Sequence, residues 1–501
     1  MNRPEAMTNA GPVRGVWRGG SAAFYGIPFA EPPVGENRFM EPRARRPWYG
    51  VRDASRPGPT PQRRPFMAVS SVPEPSYPGD DTLLVNVFTS APGNPDARLP
   101  VFVWIHGGAY VAGSPSSSWY DGRAFNRDGV VTVSISYRLG FDGFGSIPGA
   151  PENRAVRDWL AALEWVQENI VAFGGDPSQV TIGGQSAGGG AVLTLLTMPR
   201  AQHLFRAAIV GSGTTDHVEL HEARDQTETM ARLLGIASNR EAFADLDEDA
   251  ILDAQDVVAP KSEPDAGRVV ANALGDGRMR LRFAPVVDGP LVEYDVIEAV
   301  RRGIGSDKPL LIGATAHEFN MIGMAAQDAV ADTQALDLLE KFGYDGDFAK
   351  RFVRELNIST PTDLVGQGIT ERLFRGSTEL IASLRTCSTW LYDFRWKSPT
   401  IGIAVHCLEL PYVWDHLDAE LVSTSSGDNP PASLAREIHS SWVRFITEGE
   451  APWPSYNFRR SGRTFDVESR TVEDPYRLSR DFLVARTPDN DVDPHILITK
   501  E

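Results

Sequence analysis

A Gly-x-Ser-x-Gly pattern at residues 184–188 places a serine, Ser186, where its hydroxyl could act as a nucleophile. The apolar run at 179–182 predicts a strand just before it, and the apolar residues at 191–196 predict a helix just after it. Glycines on both sides allow the sharp strand-to-helix turn that lifts a serine hydroxyl clear of a sheet. The pattern alone is common, so this setting is what makes Ser186 the candidate nucleophile.

A serine hydroxyl attacks a carbonyl when a base takes its proton, an acid orients that base, and fixed donors bind the developing oxyanion. The donors are expected at residues 104–110, Trp-Ile-His-Gly-Gly-Ala-Tyr, where a buried strand runs into small residues. Backbone N–H groups of small residues can approach an oxygen closely. A plain glycine turn is the alternative for this segment. Within it, His106 is expected to support the loop rather than to act as the base.

Glu318 is the candidate acid. It follows a predicted strand at residues 309–312, and active sites in open α/β sheets lie at the carboxyl ends of the strands. An ordinary surface glutamate is the alternative. The neighbouring His317 is expected to take no part in the chemistry.

His406 is the candidate base among the nine histidines of the chain. Apolar residues flank it on both sides, so a structural histidine is the alternative. The order Ser186, Glu318, His406 is the order of nucleophile, acid and histidine in α/β-hydrolases. His439 is the runner-up, although the aromatic residues of its predicted helix indicate core packing.

Strands and helices must position these groups. Apolar, β-branched runs predict buried strands at 100–105, 130–135, 207–210 and 309–312. The run at 390–396 alternates more like a strand near the edge of the sheet. Between the strands, apolar positions recur at helical spacing over 153–173 and 434–447. Strands that alternate with helices predict an α/β fold, with a mostly parallel sheet covered on both faces.

Residues from about 215 to 370 contain more helix formers and fewer strand signals. We expect helical excursions from the sheet there rather than an independent domain, so that residues 1–501 form a single domain.

The composition excludes several classes of protein. A hydrophobic fraction of 42% in 501 residues is that of a globular protein with a large core. A formal net charge of −17 without a Lys/Arg cluster argues against a nucleic-acid partner. The two cysteines, Cys387 and Cys407, are too few for a disulfide framework or a metal cluster and are typical of free cytosolic thiols, a disulfide between the two being the alternative. Since no apolar segment has the length of a signal peptide or membrane span, we expect a soluble, cytoplasmic protein with no membrane partner.

The chain resembles the type-B carboxylesterases, the cholinesterase-like family of the α/β-hydrolases. The similarity extends over nearly the whole chain, and so implies the α/β-hydrolase fold with helical insertions. Beside the candidate site residues, the matching segments are 25–35 (Tyr-Gly-Ile-Pro-Phe-Ala-Glu-Pro-Pro-Val-Gly), 86–88, 136–140, 169–177, 285–289 and 453–454.

This resemblance implies a role for each candidate residue. Ser186 is implied to be the nucleophile, His406 the general base and acid, and Glu318 the residue that orients it. The backbone N–H groups implied to form the oxyanion hole are those of Gly108, Ala109 and Ala187. The implied reaction is acylation of the serine by an ester, release of the alcohol, and hydrolysis of the acyl-enzyme, with no cofactor and no metal.

Three residues depart from the family pattern. Thr82 stands where many relatives have a cysteine, so the family's early disulfide is absent. Gln185 replaces the common acidic residue before the serine and removes a negative charge there. Cys407 follows the candidate base where glycine is frequent; it is expected either to sensitise activity to thiol reagents or to be a packed, inert thiol.

We therefore expect a serine carboxylesterase whose partner is a small, uncharged ester. Choline esters are not expected as substrates, since Gln185 is neutral and residues 64–81 contain no tryptophan to cover a cationic head group. Carbamate or aryl-amide hydrolysis at the same serine is one alternative. A catalytically inactive, cholinesterase-like binding protein is the alternative from another class. The sequence does not indicate an oligomeric state.

Overall fold

The computed structural model describes residues 2–66, 72–260, 265–275 and 280–485. The strands in this part of the chain are β1 (Glu5–Thr8), β2 (Gly11–Arg14), β3 (Val16–Arg18), β4 (Ser21–Pro28), β5 (Arg52–Asp53), β6 (Leu84–Thr89), β7 (Leu99–Ile105), β8 (Val131–Ile135), β9 (Gly175–Gln185), β10 (Ala207–Gly211), β11 (Val218–Glu219), β12 (Val286–Val287), β13 (Leu310–Thr315), β14 (Thr389–Phe394), β15 (Ser461–Phe465) and β16 (Arg470–Glu473).

The α-helices in the same part of the chain are α1 (Arg123–Arg127), α2 (Gly140–Phe144), α3 (Arg154–Asn169), α4 (Ala187–Leu196), α5 (Leu220–Leu234), α6 (Arg240–Ala244), α7 (Glu248–Val258), α8 (Ala266–Leu274), α9 (Val296–Arg301), α10 (Gln327–Val330), α11 (Ala335–Lys341), α12 (Gly346–Glu355), α13 (Pro361–Thr370), α14 (Gly376–Leu384), α15 (Leu410–Val413), α16 (Val422–Ser426), α17 (Ala432–Glu448) and α18 (Arg477–Val484). Among these described residues, no helix is both long and apolar enough to cross a membrane.

An 11-stranded sheet organises the molecule, in the order β16-β15-β14-β13-β10-β9-β7-β8-β6-β4-β3. The strands from β15 through β8 pair in parallel, and the antiparallel pairs lie at the two ends of the sheet. The predicted mostly parallel α/β sheet is therefore confirmed. Its parallel strands point their carboxyl ends toward one edge, where an active site can assemble.

Apolar side chains cover both faces of the sheet. Along β7, Val101 and Val103 belong to one buried cluster, whereas Phe102 and Trp104 belong to another. Helices α3 and α4 pack in the first cluster, and α17 packs in the second. Strand β7 is therefore buried on both faces, which explains its near-continuous apolar run.

The helices predicted at 153–173 and 434–447 are present, with shifted ends. The first is α3, which continues as a 3₁₀ turn over Ile170–Phe173. The second is α17. The strand predicted near the edge of the sheet is β14, the third strand from one end of the eleven, and it pairs with β13 and β15. All six of its residues are buried, and its polar Asp393 pairs with Arg375 and Arg395.

Residues 220–370 carry helices α5 to α13, as expected for a helix-rich segment. Within the described part of this segment, two strands lie between the helices: β12, which pairs with β11 just before α5, and β13, which joins the central sheet. Helices α8, α11, α12 and α13 share a third apolar cluster with α18. Organisation of the chain as one domain remains a prediction.

Candidate active site

Ser186 lies at a sharp turn between β9 and α4. Its backbone angles are φ 60° and ψ −127°, a conformation that L-residues rarely adopt. The Ser186 N–H donates to the Gly211 carbonyl at the end of β10, at 2.9 Å. Ser186 is partly exposed, while its neighbours Gln185 and Ala187 are buried. The turn thus presents one hydroxyl at the carboxyl edge of the sheet, as the sequence predicts.

The glycine after the serine is required by close packing. A Cβ at Gly188 would lie 2.0 Å from the Ile105 carbonyl oxygen, which belongs to the neighbouring β7. Because that oxygen is backbone, no side-chain rotation could relieve the clash. The strained serine is therefore held in place by the strands on both sides of it.

Glu318 and His406 are in contact, although 88 residues separate them in the chain. Glu318 follows β13 and is buried, and its Oε2 lies within hydrogen-bond distance of His406 Nδ1. A carboxylate only accepts hydrogen bonds, so Nδ1 carries the proton. The second ring nitrogen, Nε2, is consequently left as an acceptor, which is the tautomer that a general base requires.

Two further donors fix the Glu318 carboxylate. Its Oε1 accepts from the Ser212 hydroxyl at 2.5 Å and from the Thr315 N–H at 2.7 Å. Ser212 follows β10 directly and is fully buried. The sequence analysis did not single out Ser212; its position after a predicted strand, between two glycines, was the available signal.

Aromatic rings enclose the His406 imidazole. The ring centroid of Phe319 lies 4.5 Å from that of the imidazole, and the centroid of Phe374 lies 5.0 Å from it. Phe374 belongs to a π-helical turn over Glu371–Arg375, a type of turn often found at functional sites. No local sequence signal marks Phe374, because its contact with His406 depends entirely on tertiary packing.

The segments that carry Glu318 and His406 are paired by backbone hydrogen bonds. The His406 N–H donates to the Glu318 carbonyl, and the His317 N–H donates to the Ala404 carbonyl, both at 3.0 Å. The pKa of His317 is lowered to about 4, mainly by burial, so its ring is neutral at neutral pH. Its backbone holds the two segments together, while its side chain contacts the Ala404 N–H.

The His406 Nε2 contacts the Gln185 side chain. The Gln185 amide nitrogen lies 3.2 Å from Nε2, and the Cys407 thiol donates to the Gln185 amide oxygen at 3.2 Å. Among the described residues, the hydrogen-bond partners of the imidazole are therefore Glu318 and Gln185 rather than Ser186. The structure thus brings the candidate acid Glu318 and the candidate base His406 together, and it places Gln185, the residue before the serine, against His406.

The small-residue loop after β7 packs directly on the serine turn. A Cβ at Gly107 would lie 2.8 Å from the Gln185 carbonyl oxygen and 3.1 Å from Ser186 Cβ. Positive φ angles follow, 113° at Gly108 and 52° at Ala109. Three backbone N–H groups lie at this loop and turn, those of Gly108, Ala109 and Ala187. Among the described residues, none of them donates a hydrogen bond to a backbone carbonyl outside the helices and strands. These donors are consequently available to an oxygen bound beside Ser186.

The other two histidines considered from the sequence have structural surroundings. The His106 ring stacks on Tyr137 with centroids 4.6 Å apart, and burial lowers its pKa to about 4. The His439 Nδ1 contacts the Val413 carbonyl at 2.7 Å, and its Nε2 contacts Asp128 at 3.0 Å. Both ring nitrogens of His439 are thus engaged away from the serine.

Comparison with known proteins identifies the family of the chain. Residues 2–469 match the model of the carboxylesterase family. The chain is 33% identical to the para-nitrobenzyl esterase of Bacillus subtilis, with 95% of this chain and 97% of that protein covered. It is 30% identical to the phenmedipham hydrolase of Pseudarthrobacter oxydans, over 91% and 93% of the two chains.

Solved structures show the same relationship. The crystal structure of carboxylesterase EST55 of Geobacillus stearothermophilus superposes with a TM-score of 0.79 and 32% identity, and covers 96% of this chain and 100% of its own. The central sheet is that of an α/β-hydrolase, and a serine lies at a strained turn of this sheet. The similarity to carboxylesterases extends over nearly the whole chain. The chain belongs to the carboxylesterase family and is a carboxylic ester hydrolase.

Proposed function

We propose that this carboxylesterase hydrolyses esters of small, uncharged molecules through an acyl-enzyme on Ser186, with His406 as the base and Glu318 as its orienting acid. The contact between the Glu318 carboxylate and His406 Nδ1 carries the proposal, because it leaves Nε2 free of a proton. A buried carboxylate in this position also stabilises the imidazolium that forms when the serine loses its proton.

The first half of the reaction acylates the serine. The Ser186 oxygen attacks the ester carbonyl carbon while its proton passes to His406 Nε2. The tetrahedral oxyanion accepts hydrogen bonds from the backbone N–H groups of Gly108, Ala109 and Ala187. The C–O bond to the alcohol then breaks, and the imidazolium returns its proton to the departing oxygen.

The second half restores the enzyme. A water molecule gives a proton to His406 Nε2 and attacks the acyl carbonyl, and the same N–H groups hold the second oxyanion. The bond to Ser186 Oγ breaks, the serine recovers its proton from the imidazolium, and the carboxylic acid leaves. The alcohol and the acid are the only products.

The decisive experiment replaces the nucleophile. Ser186→Ala should abolish turnover of p-nitrophenyl esters of graded acyl length, and of p-nitrobenzyl acetate, which the name of one relative suggests as a probe. The wild type should also be labelled once by diethyl p-nitrophenyl phosphate, on the peptide that contains Ser186. Full activity in Ser186→Ala would refute the site, and a wild type without turnover or labelling would favour the inactive binding protein.

A second candidate is carbamate or aryl-amide hydrolysis by the same acylation. It is favoured by similarity to a relative named phenmedipham hydrolase. Matched aryl esters and aryl carbamates, with phenmedipham added to the panel, separate the two. Faster turnover of the carbamate than of its matched ester would make this second candidate the better description.

The preference for uncharged esters is supported by the neutral Gln185 side chain beside His406. Acetylthiocholine and its neutral isostere, 3,3-dimethylbutyl thioacetate, have nearly the same shape and differ in charge. We expect a higher kcat/KM for the neutral ester. A clear preference for acetylthiocholine would contradict the proposal.

A cytoplasmic location, without a nucleic-acid partner, is the setting we propose. The two cysteines are free in the structure, and the chain carries a net charge of −17. Cell fractionation of the tagged, full-length protein tests the location. Recovery in the medium or with membranes would contradict it.

A further inference from the structure

Two residues that depart from the family pattern meet at the candidate base. Gln185 precedes the nucleophile and Cys407 follows the base, and 222 residues separate them in the chain. The structure joins them in a chain of hydrogen bonds, from the Cys407 thiol to the Gln185 amide oxygen and from the Gln185 amide nitrogen to His406 Nε2, each at 3.2 Å. Neither contact could form with the acid and the glycine that are common at these positions.

The directions of these hydrogen bonds follow from chemistry. Burial raises the pKa of the Cys407 thiol well above its usual value, so the thiol stays protonated and donates. The Gln185 amide oxygen accepts this hydrogen bond, and the NH₂ group of the same amide therefore faces His406 Nε2. An amide nitrogen only donates, so the Nε2 lone pair is occupied.

That lone pair is the one that must take the serine proton. We propose that Gln185, held by the Cys407 thiol, is a positioning residue that caps the His406 base in the resting enzyme and withdraws when Ser186 engages it. This inference rests on the proposed function of Ser186 and His406. The cap stabilises the neutral ring in the tautomer set by Glu318, and it opposes protonation of Nε2 because an N–H would then face an N–H.

The surroundings favour a neutral group at position 185. A Cβ at Gly211 would lie 3.0 Å from the Tyr392 hydroxyl, 3.4 Å from Glu409 Oε1 and 3.5 Å from Gln185 Cγ, so these groups share one buried pocket. Among the described residues, neither Glu409 oxygen has a hydrogen-bond partner, and burial first, then the Glu318 charge, raises the pKa of Glu409 to about 8. Glu409 is therefore protonated at neutral pH, and burial and the Glu318 charge would oppose ionisation of a carboxyl group at position 185 as well.

The test compares three variants of the full chain with the wild type. Gln185→Met keeps the length of the side chain and removes the amide donor. Cys407→Ala removes the thiol that orients the amide, whereas Cys407→Ser keeps a donor in its place. For each, kcat/KM for p-nitrophenyl acetate is measured from pH 4.5 to 9, since the acid limb of this profile reports protonation of the base.

We expect the acid limb to move to higher pH by about 0.4–1 unit in Gln185→Met and in Cys407→Ala, the range that one ordinary hydrogen bond corresponds to. Above that limb, kcat/KM should rise about two- to tenfold because the cap no longer competes with the serine. Cys407→Ser should keep the wild-type profile. The Glu318 carboxylate, which contacts the ring, and the nearby carboxyl group of Glu409 are unchanged in all three variants.

An unmoved acid limb in either Gln185→Met or Cys407→Ala overturns the proposal, as does a Cys407→Ser profile that matches Cys407→Ala. Thermal unfolding of each variant identifies loss of folding, which lowers the rate without moving the limb. Failure of the proposed function would appear differently, as ester turnover retained by Ser186→Ala.

Discussion

Removing the Ser212 hydroxyl, which donates a hydrogen bond to Glu318, should lower kcat about tenfold. The buried Glu318 carboxylate accepts three hydrogen bonds, from His406 Nδ1, the Ser212 hydroxyl and the Thr315 N–H. Ser212→Ala deletes the hydroxyl, which lies 2.5 Å from Oε1. Ser212 is fully buried after β10, and the Glu318 carboxylate is the hydrogen-bond partner of its hydroxyl among the described residues.

The magnitude follows from what remains on the same oxygen. A hydrogen bond to a charged group contributes about 1.5–3 kcal/mol. Oε1 keeps its 2.7 Å bond from the Thr315 N–H, so the loss should be near the lower end, about 1.5 kcal/mol. Since about 1.4 kcal/mol corresponds to a factor of ten in rate, kcat should fall about tenfold. KM should change less than about twofold, because Glu318 acts on the imidazolium that forms only during proton transfer.

Steady-state kinetics with p-nitrophenyl butyrate at pH 8 measure both constants. Ser134→Ala is the matched control: Ser134 is also buried, in β8, and its hydroxyl has no hydrogen-bond partner among the described residues. This control should keep the wild-type kcat within about twofold. The reasoning is refuted if Ser212→Ala retains full kcat, or if the two variants lose kcat equally.

Two further predictions concern the loop after β7 and the turn that carries Ser186. Gly188→Ala should give little soluble protein and no esterase activity, because its Cβ would lie 2.0 Å from the Ile105 carbonyl oxygen; normal yield and activity would contradict this. The free energy of unfolding should fall by about 2 kcal/mol between pH 7 and pH 5 because of His106. The imidazole has a pKa near 6.5 in the unfolded chain and about 4 in the folded protein, so in this pH range the unfolded state binds a proton that the folded state does not. Urea unfolding at both pH values should show a smaller fall for His106→Phe, which keeps an aromatic ring on Tyr137; an unchanged fall would contradict the assignment.

The sequence predicted the parallel strands well because their burial on both faces leaves continuous apolar runs. β7 and β8 lie within a residue of the predicted ranges 100–105 and 130–135. It also placed β14 near the edge of the sheet, but it gave no sign that all six residues of this strand are buried. Two arginines pair with the buried Asp393 carboxylate and lower its pKa against the effect of burial, and the alternating pattern does not reveal this pairing.

The sequence also singled out Glu318 and His406, because their order after the serine and their places beyond predicted elements restrict the choice of residues. It did not lead to Ser212 or Phe374. The Ser212 hydroxyl contacts Glu318, which lies 106 residues further along the chain. The Phe374 ring contacts His406 only because the tertiary structure packs their two segments together. Roles for the whole candidate site, including the oxyanion donors, remain predictions that mutation must test.

By itself, the sequence determined the local part of this protein, a strand, a glycine-flanked serine and a helix, because backbone sterics within a few residues decide that turn. Tertiary structure alone decided which groups surround the serine. The parallel register of β9, β10 and β13 brings their carboxyl ends to one edge, and so joins Gln185, Gly211 and the segment that leads to Glu318. The contact between Gln185 and Cys407 has the same origin. Each departure was visible in the sequence, but their meeting at His406 depends on packing between segments more than two hundred residues apart.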